Sequence, residues 1–260
     1  KLRTMSTFFR KIRQKLRSEN KFSQYLLYAI GEIILVVIGI LIALQINNWN
    51  DVNKEKQKEK IYLESLQSEF AINLEKLNGV ITSCNRLDAQ LGEILTFFDS
   101  QKLDTITPES IAQSLGASLS YEVVYTPTTG VQKDLISSGN LKQVRNASLR
   151  QKIASFETSL ETIKQQESKG LAIKNDISKS INEIVSMRSI FKLVGNQIQG
   201  KSKFEQLDIK PVFDNMSLEN NFILYQVITR TTGKTYYETL KTDIELINQL
   251  IDSELKTNFK

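Results

Sequence analysis

The sequence predicts an all-α protein in which a single transmembrane helix continues into an exported antiparallel bundle of three long helices plus short helices. Residues 25–46 form one unbroken apolar run, and three long stretches beyond it repeat apolar residues every three or four positions. The segment SYEVVYT at 120–126 is the only candidate strand. We therefore divide the chain into a cytoplasmic tail at 1–24, a transmembrane helix at 25–46 and an exported domain at 47–260.

The apolar run, YLLYAIGEIILVVIGILIALQI, contains a single charged residue, Glu32. A helix rises about 1.5 Å per residue, so this run covers roughly 33 Å and matches a hydrocarbon core of about 30 Å. It is longer than the apolar part of a cleaved signal peptide, and no small-residue cleavage site precedes the polar residues that follow. The run therefore predicts an anchor that stays attached.

The charges on either side of the run predict its orientation. Eight Lys or Arg and one acidic residue precede Tyr25, whereas acidic and basic residues balance in the ten positions after Ile46. The positive-inside rule then predicts a bacterial inner-membrane protein with a cytoplasmic N-terminus and a periplasmic C-terminal domain. Tyr25 and Tyr28 at the inner edge, and Trp49 at the outer edge, are predicted interface anchors, as in the aromatic belts of membrane proteins.

The net charge of +5 is concentrated in the tail, which carries +7 and leaves −2 for the rest of the chain. No basic face is predicted on the domain, so we expect no nucleic-acid partner. Phe9, Ile12 and Leu16 have helical spacing, which indicates a short amphipathic helix on an anionic inner leaflet. A plain topology signal explains the same charges equally well. The predicted inner-leaflet contacts are Arg10, Lys11, Arg13, Lys15 and Arg17.

The residue types present argue against an enzyme. The chain has no histidine and one cysteine, so histidine-based acid-base catalysis, histidine metal sites and an internal disulfide are excluded. Cys84 lies on an apolar stripe and is predicted to be a buried small hydrophobe. Carboxylates such as Glu64 and Glu69 are predicted to be solvated. We predict no catalytic residue, no metal ligand, no cofactor and no identifiable small-molecule ligand.

Three apolar stripes with helical periodicity define the long helices. The first consists of Leu63, Phe70, Leu77, Cys84, Leu91 and Phe98, with the offset series Leu66, Val80, Leu87 and Ile94. The second consists of Leu149, Phe156, Ile163, Gly170, Ile177, Ile184 and Phe191, with Ile153, Leu160 and Ile181 offset from it. The third consists of Phe222, Tyr225, Thr229, Thr232, Tyr236, Leu240, Asp243, Ile247 and Leu250, joined by Ile244 and Ile251.

The ends and weak points of these helices are also predictable. The stretch from Tyr25 to residue 107 lacks proline, so the membrane helix is expected to run into the first stripe with little interruption. Asn146 or Ser148 is expected to cap the second helix, and Gly195 follows its end. Glycine and β-branched threonine make TRTTGKT, at the centre of the third stripe, the weakest helix in the chain.

Two stretches between the stripes are less regular. Residues 108–119 predict a short helix, and residues 125–144 predict a loop, a helix ending at Gly139 in the left-handed conformation and a reversal. A second loop covers residues 195–217. Both loops are interpreted as connections, with ligand or partner contact as the alternative. The stripes predict an up-down bundle whose short helices form a broken fourth helix, with a coiled-coil dimer as the competing arrangement.

One face of the membrane helix is a candidate packing site. Helical geometry brings Glu32, Val36, Gly39 and Ala43 to the same side of the run. Small residues four apart let two helices approach closely, and a protonated carboxyl can donate a hydrogen bond across the contact. This pattern predicts a homo-oligomer or a pairing with another membrane protein. A carboxylate that reaches the inner headgroups, beside an incidental Gly-Ala pair, is the alternative.

Two blocks of sequence resemble a known family. FFRKIRQKLRSENKFSQYLLYAIGEIILVVIGILIALQINNWN near the N-terminus, and TTGVQKDLISSGNLKQVRNASLRQKIASFE later in the chain, are similar to the uncharacterised DUF6090 family of Bacteroidota single-pass membrane proteins. The resemblance implies one membrane span and an exported helical domain. It implies no activity and no binding residues.

Three hypotheses for function follow. The first is a non-enzymatic, membrane-anchored scaffold or interaction module that contacts the lipid bilayer and a protein partner. The second is a periplasmic sensor subunit that signals through a separate partner, since the tail is too short for an output domain. The third is a proton-coupled, stator-like subunit that uses Glu32, because an ionisable group within a span is costly and commonly functional.

Overall fold

The computed structural model describes residues 21–205 and 208–259; the side chains of residues 21–25, 100 and 102 are outside the description. These residues form helices and connecting segments with no strand among them, so the predicted all-α class is confirmed. Contacts divide the chain into two compact units, Lys1–Lys58 and Glu59–Lys260.

Eight α-helices are described, and we number them in chain order. They are α1 (Lys21–Leu95), α2 (Ser100–Leu103), α3 (Pro108–Leu119), α4 (Gly130–Ser137), α5 (Ala147–Ile184), α6 (Met187–Leu193), α7 (Met216–Thr231) and α8 (Glu238–Asn258). Short 3₁₀ turns lie at Thr96–Phe98, Asn140–Gln143 and Lys210–Asp214, and a π-helix at Thr232–Tyr237 joins α7 to α8. The bounds of α1 confirm the predicted continuation of the apolar run into the first stripe.

Contacts within the second unit define an up-down-up-down bundle. Gln67 donates to Asp252 and Arg230 pairs with Asp88, so the outer part of α1 runs antiparallel to α7 and α8. The second half of the segment between α1 and α5 descends along α1, since Tyr121 lies beside Gln90 and Asn140 lies beside Tyr62. This segment, which contains α3 and α4, is the broken helix expected from the sequence.

The apolar stripes are buried inside this bundle in two core clusters. The lower cluster includes Leu63, Phe70, Ile153, Phe156 and Ile247, and the rings of Phe70 and Phe156 meet edge to face at 5.0 Å between centroids. The upper cluster includes Leu87, Leu91, Ile111, Ile181, Phe213 and Phe222. Because the α1 stripe is covered by helices of the same chain, the structure supports the bundle rather than a coiled-coil dimer.

The second stripe does not form one helix up to Phe191. Helix α5 ends at Ile184, Val185 is extended with φ −130° and ψ 151°, and α6 begins at Met187. Phe191 is 45% exposed, so its predicted place in the core is wrong. The break turns α6 toward α3, so that Ile190 rather than Phe191 packs in the upper cluster.

The third stripe changes phase by one residue at the weak point that the sequence indicates. Beyond the π-helix, Tyr237, Ile244 and Ile251 are buried, whereas the heptad spacing favours Tyr236 and Asp243 at the equivalent positions. A π-turn contains more residues than an α-turn, so the buried positions after it are shifted by one residue toward the C-terminus. Asp243 consequently lies at the edge of the bundle, where it pairs with Lys152, and Leu250 is only partly buried.

Local signals at the helix ends are confirmed. Asn146 caps α5 by accepting a hydrogen bond from the Leu149 amide at 3.0 Å, and Asn215 caps α7 in the same way. Gly139 has φ +70° after α4, and Gly195 has φ +88° after α6. The candidate strand at 120–126 is an extended segment without strand pairing, and its backbone groups at Tyr121 and Tyr125 bond to side chains of α5, as described below.

Candidate functional site

The predicted packing face lies on the apolar part of α1. Glu32, Val36, Gly39 and Ala43 are exposed, as is every described side chain from Leu26 to residue 46. A Cβ added at Gly39 would have no other atom within 4 Å, so the helix surface is open at this position. Helical geometry places the four residues on one side of α1. They form a continuous, small-residue surface with one carboxyl group.

Among the described residues, one helix is long and apolar enough to cross a membrane, judged by length and composition, and this segment belongs to it. Tyr28 and Trp49, the predicted interface anchors, are 80% and 68% exposed. The side chain of Tyr25 lies outside the description. The predicted inner-leaflet contacts Arg10, Lys11, Arg13, Lys15 and Arg17 lie outside the described residues.

In the second unit, acidic side chains of α1 bind the backbone of the descending segment. The two carboxylate oxygens of Glu69 accept hydrogen bonds from the amides of Val131 (2.7 Å) and Gln132 (3.0 Å) in the first turn of α4. Thr129, which precedes this helix, provides no side-chain cap. Glu69 is 4% exposed, so the prediction that it is solvated is wrong, whereas Glu64 is exposed as expected. Glu69 therefore caps α4 from a neighbouring helix.

Two further residues of α1 hold the same segment. Asn73 is fully buried; its Oδ1 accepts from the Thr128 amide and its Nδ2 donates to the Thr128 carbonyl, each at 2.7 Å. Glu59 accepts from the Arg145 amide at 2.7 Å and pairs with the Arg145 guanidinium at 3.2 Å. Buried backbone groups that lack helical partners are thereby satisfied by side chains.

Helix α5 supplies the corresponding contacts from the opposite side. Oε1 of Glu167 accepts hydrogen bonds from the Tyr125 amide at 2.9 Å and from the Tyr237 hydroxyl at 2.7 Å. Burial raises the pKa of the Glu167 carboxyl above its usual range, while these two hydrogen bonds act to lower it. Burial, together with the neighbouring carboxylate, also raises the pKa of Tyr237, which stays a neutral donor. Lys174, 9% exposed, donates to the Tyr121 carbonyl at 3.1 Å.

These groups belong to a polar middle layer between the two core clusters. On α5 and along α7 and the π-helix, the buried residues between the clusters are polar or glycine rather than apolar. We define the middle layer as Cys84, Gln166, Glu167, Gly170, Lys174, Thr229, Thr232 and Gly233. A cavity of about 40 Å³ lies within it. This is room for about one group of the size of a water molecule, not for a substrate.

The π-helix packs against the only cysteine of the chain. The Cys84 thiol donates to the Thr229 carbonyl at 3.1 Å, and a Cβ added at Gly233 would lie 2.9 Å from the sulfur. Burial raises the pKa of the Cys84 thiol to about 11. A buried, protonated thiol is a poor nucleophile, so this contact serves packing. The predicted role of Cys84 as a buried small hydrophobe agrees with its 2% exposure.

In the described part of the chain, these side chains position the backbone of the descending segment. The described residues contain no group of three or more His, Cys, Asp or Glu side chains placed to hold a metal ion. Each buried carboxylate named above accepts hydrogen bonds from backbone amides or a tyrosine hydroxyl. Chemically, these groups stabilise an irregular segment within a helical bundle.

Sequence reasoning missed the middle layer and the α1 contacts, although the heptad series contained a signal. Asn73 falls between Leu66 and Val80 in the offset series of the first stripe. Glu167 and Lys174 fall in the offset series of the second stripe, between Leu160 and Ile181. A polar residue at a core position of a long stripe indicates a buried partner, because an unpaired buried polar group is costly.

The contact between Gly233 and Cys84 leads to a double-substitution prediction. Gly233→Ala is expected to destabilise the fold by about 1–3 kcal/mol, because the added methyl group overlaps the sulfur. In a Cys84→Ala background, where the nearest remaining approach is an ordinary contact, the same substitution should be neutral or stabilising. Chemical unfolding of the full chain in lipid nanodiscs measures all four variants. Equal effects of Gly233→Ala in the two backgrounds would show that overlap with the Cys84 sulfur is not the reason why this position requires glycine.

The pKa of Glu167 leads to a prediction about pH. The folded chain binds this proton more tightly than the unfolded chain, so Glu167 stabilises the fold most below its ordinary pKa and loses this contribution as the pH rises through the raised pKa. Glu167→Gln retains the Oε1 acceptor and removes the titration. The unfolding free energy of the variant, relative to that of the unmodified chain, should therefore rise as the pH increases from below the ordinary pKa of glutamate through the raised pKa of Glu167. Glu161→Gln, an exposed change on the same helix, should show no such trend. A pH-independent difference for Glu167→Gln would contradict the assignment.

Comparison with known proteins gives one positive result. No curated protein and no solved structure matches the chain. A family model described as a family of unknown function, DUF6090, matches residues 32–221, which extend from the apolar part of α1 through α6 into α7. The match includes Glu32, the residues of α1 that bind the descending segment, and most of the middle layer. Because it covers more than half of the sequence, the chain belongs to the DUF6090 family.

Proposed function

We propose that this protein is a non-enzymatic, membrane-anchored interaction module in which the packing face of α1 joins two copies of the chain. In this proposal the apolar segment crosses a bacterial inner membrane, the N-terminus is cytoplasmic and the helical bundle lies in the periplasm. The exposed apolar surface at residues 26–46 is the observation that carries the proposal. A surface of this length and composition is poorly suited to water and suited to a bilayer.

The chemistry of the bundle supports a role without catalysis. The buried carboxylates Glu59 and Glu69 and the half-buried carboxylate Glu167 are engaged in hydrogen bonds that hold the chain's own backbone. General acid-base catalysis requires such a group to reach a substrate, and the cavity beside Glu167 is only about 40 Å³. The second unit therefore fits a rigid, folded platform better than a reaction site.

The surface chemistry of α1 supports self-association within the membrane. Gly39 and Ala43 are one helical turn apart and remove bulk from the face that also holds Glu32. Two such faces can approach closely enough for backbone contacts. A protonated Glu32 carboxyl on each helix could donate a hydrogen bond to the other, which reduces the cost of placing this group in hydrocarbon.

A second candidate function uses the same carboxyl group differently. Glu32 is an ionisable residue in an otherwise apolar, exposed segment, and such residues commonly lie on proton pathways. A proton-coupled, stator-like subunit would need Glu32 to change its protonation state, whereas a packing role would not. The two candidates consequently differ in their response to Glu32→Gln.

The packing face is tested by substitutions at two glycines of the same helix. Gly39→Leu should lower the dimer fraction about tenfold, because the added side chain separates the helices. Gly31→Leu is the matched control: Gly31 is equally open but lies about 80° from Gly39 around the helix. Crosslinking of the full chain in native membranes measures the dimer fraction. Orientation is measured separately with a reporter that is fused to the C-terminus and is active only outside the cytoplasm.

The outcomes separate the candidates. An unchanged dimer fraction in Gly39→Leu, or equal losses in both glycine variants, would remove the packing face from the proposal. Survival of the dimer in Glu32→Gln, with loss of a proton-dependent phenotype of the cell, would favour the proton-coupled function. Recovery of the chain in the soluble fraction after cell breakage would refute the anchor itself.

A further inference from the structure

A cavity that is suited to a ligand lies at the upper end of the bundle, among α3, α5 and α6. Its volume is about 200 Å³, five times that of the cavity in the middle layer. An engineered apolar cavity of about 150 Å³ suffices to bind benzene. The apolar lining consists of Ala112, Leu115, Gly116, Leu119, Ile181, Met187, Ile190, Phe191 and Val194.

The cavity exists because the second stripe breaks. Val185 is extended, so α6 leaves the line of α5 and leans toward α3 with a gap below it. Contacts with the following loop hold α6 in this place: Arg188 donates to the carbonyl of Gln199 at 2.8 Å, and Lys192 pairs with Glu205. Because these contacts fix the position of α6, the cavity is a feature of the folded bundle.

The absence of a side chain at Gly116 keeps one wall of the cavity open. A Cβ added there would have no other atom within 4 Å. At the mouth, Met187 and Phe191 are 38% and 45% exposed, which is high for apolar side chains beside a core. Exposed apolar groups around a concave apolar wall are typical of ligand sites.

The lining also indicates the chemistry of the ligand. No charged side chain is among the residues that line this cavity, and its three polar members, Ser120, Ser178 and Asn182, include two that are exposed. An anionic or cationic group would find no counter-charge in this lining, whereas a hydroxyl or ester could bond to serine or the asparagine amide. Roughly seven methylene groups fill this volume if each occupies about 30 Å³, which is the volume per molecule in liquid water.

We infer that this cavity binds one aliphatic chain of about seven carbons that ends in an uncharged polar group. The aliphatic part lies against Leu115, Ile181 and Ile190, and the polar end lies at the mouth beside Asn182. This site is independent of the packing face on α1, so either can fail without the other.

The test uses a photoactivatable diazirine analogue of octan-1-ol with the full chain in lipid nanodiscs. In the unmodified chain, mass spectrometry should locate the label in the peptides that contain Leu115, Met187 or Phe191, and unlabelled octan-1-ol should displace it. Gly116→Leu fills the cavity and should reduce this labelling at least tenfold. Gly79→Leu is the matched control, because Gly79 is an equally open helical glycine away from the cavity, and it should leave labelling unchanged.

Three results would overturn the inference. Label found only in residues 26–46 of the unmodified chain would indicate partition into lipid. Full labelling of the upper cavity in Gly116→Leu, with the helical circular dichroism retained, would show that the label does not enter the cavity. Displacement by octanoate at the same concentration as octan-1-ol would contradict the uncharged end group. Because the first and third results come from the unmodified chain, the inference stays testable if Gly116→Leu does not fold.

Discussion

The fold depends on satisfying the backbone of one irregular segment inside a helical bundle. Residues 121–128 descend between α1 and α5 without helical or strand hydrogen bonds, and buried amides without partners are costly. Asn73 binds this backbone from α1, and Glu167 and Lys174 bind it from α5, while Glu69 of α1 binds the first turn of α4 that follows it. Side chains of the long helices on two sides thus satisfy backbone groups that regular secondary structure would otherwise satisfy.

This constraint explains why the bundle has two cores and a polar layer between them. Glu167 and Lys174 occupy heptad positions that would otherwise hold apolar residues, so the apolar packing is interrupted where they reach the descending segment. The π-helix lies at the same level, where it brings the Tyr237 hydroxyl to Glu167 and lets Gly233 approach Cys84. The polar residues of the middle layer therefore support the structure of the bundle, and the proposed self-association is located on the exposed face of α1.

The sequence was sufficient for features that depend on local chemistry. The helix at 108–119, the left-handed Gly139 and the Asn146 cap each follow from a few neighbouring residues. It was insufficient where a distant partner decides the outcome. Glu69 lies on a face of α1 that the sequence pattern assigns to solvent, and only the position of α4 shows that it is covered. The phase change at the π-helix brings Tyr237 to Glu167, a contact between distant residues that the sequence pattern does not show. The candidate membrane face was predictable as a pattern, because four residues on one helix need no tertiary contact to share a side.

The most direct measurement of this account is amide hydrogen exchange in Glu69→Ala, read by mass spectrometry on the full chain in nanodiscs. If Glu69 caps α4, exchange at Val131 and Gln132 should accelerate about five- to thirtyfold, in line with the loss of roughly 1–2 kcal/mol for a helix cap, while amides within α5 keep their rates. Glu64→Ala, the exposed change on the same helix, should leave all of these rates unchanged. Retained protection of Val131 and Gln132 in Glu69→Ala would contradict the claim that side chains of the long helices hold this segment.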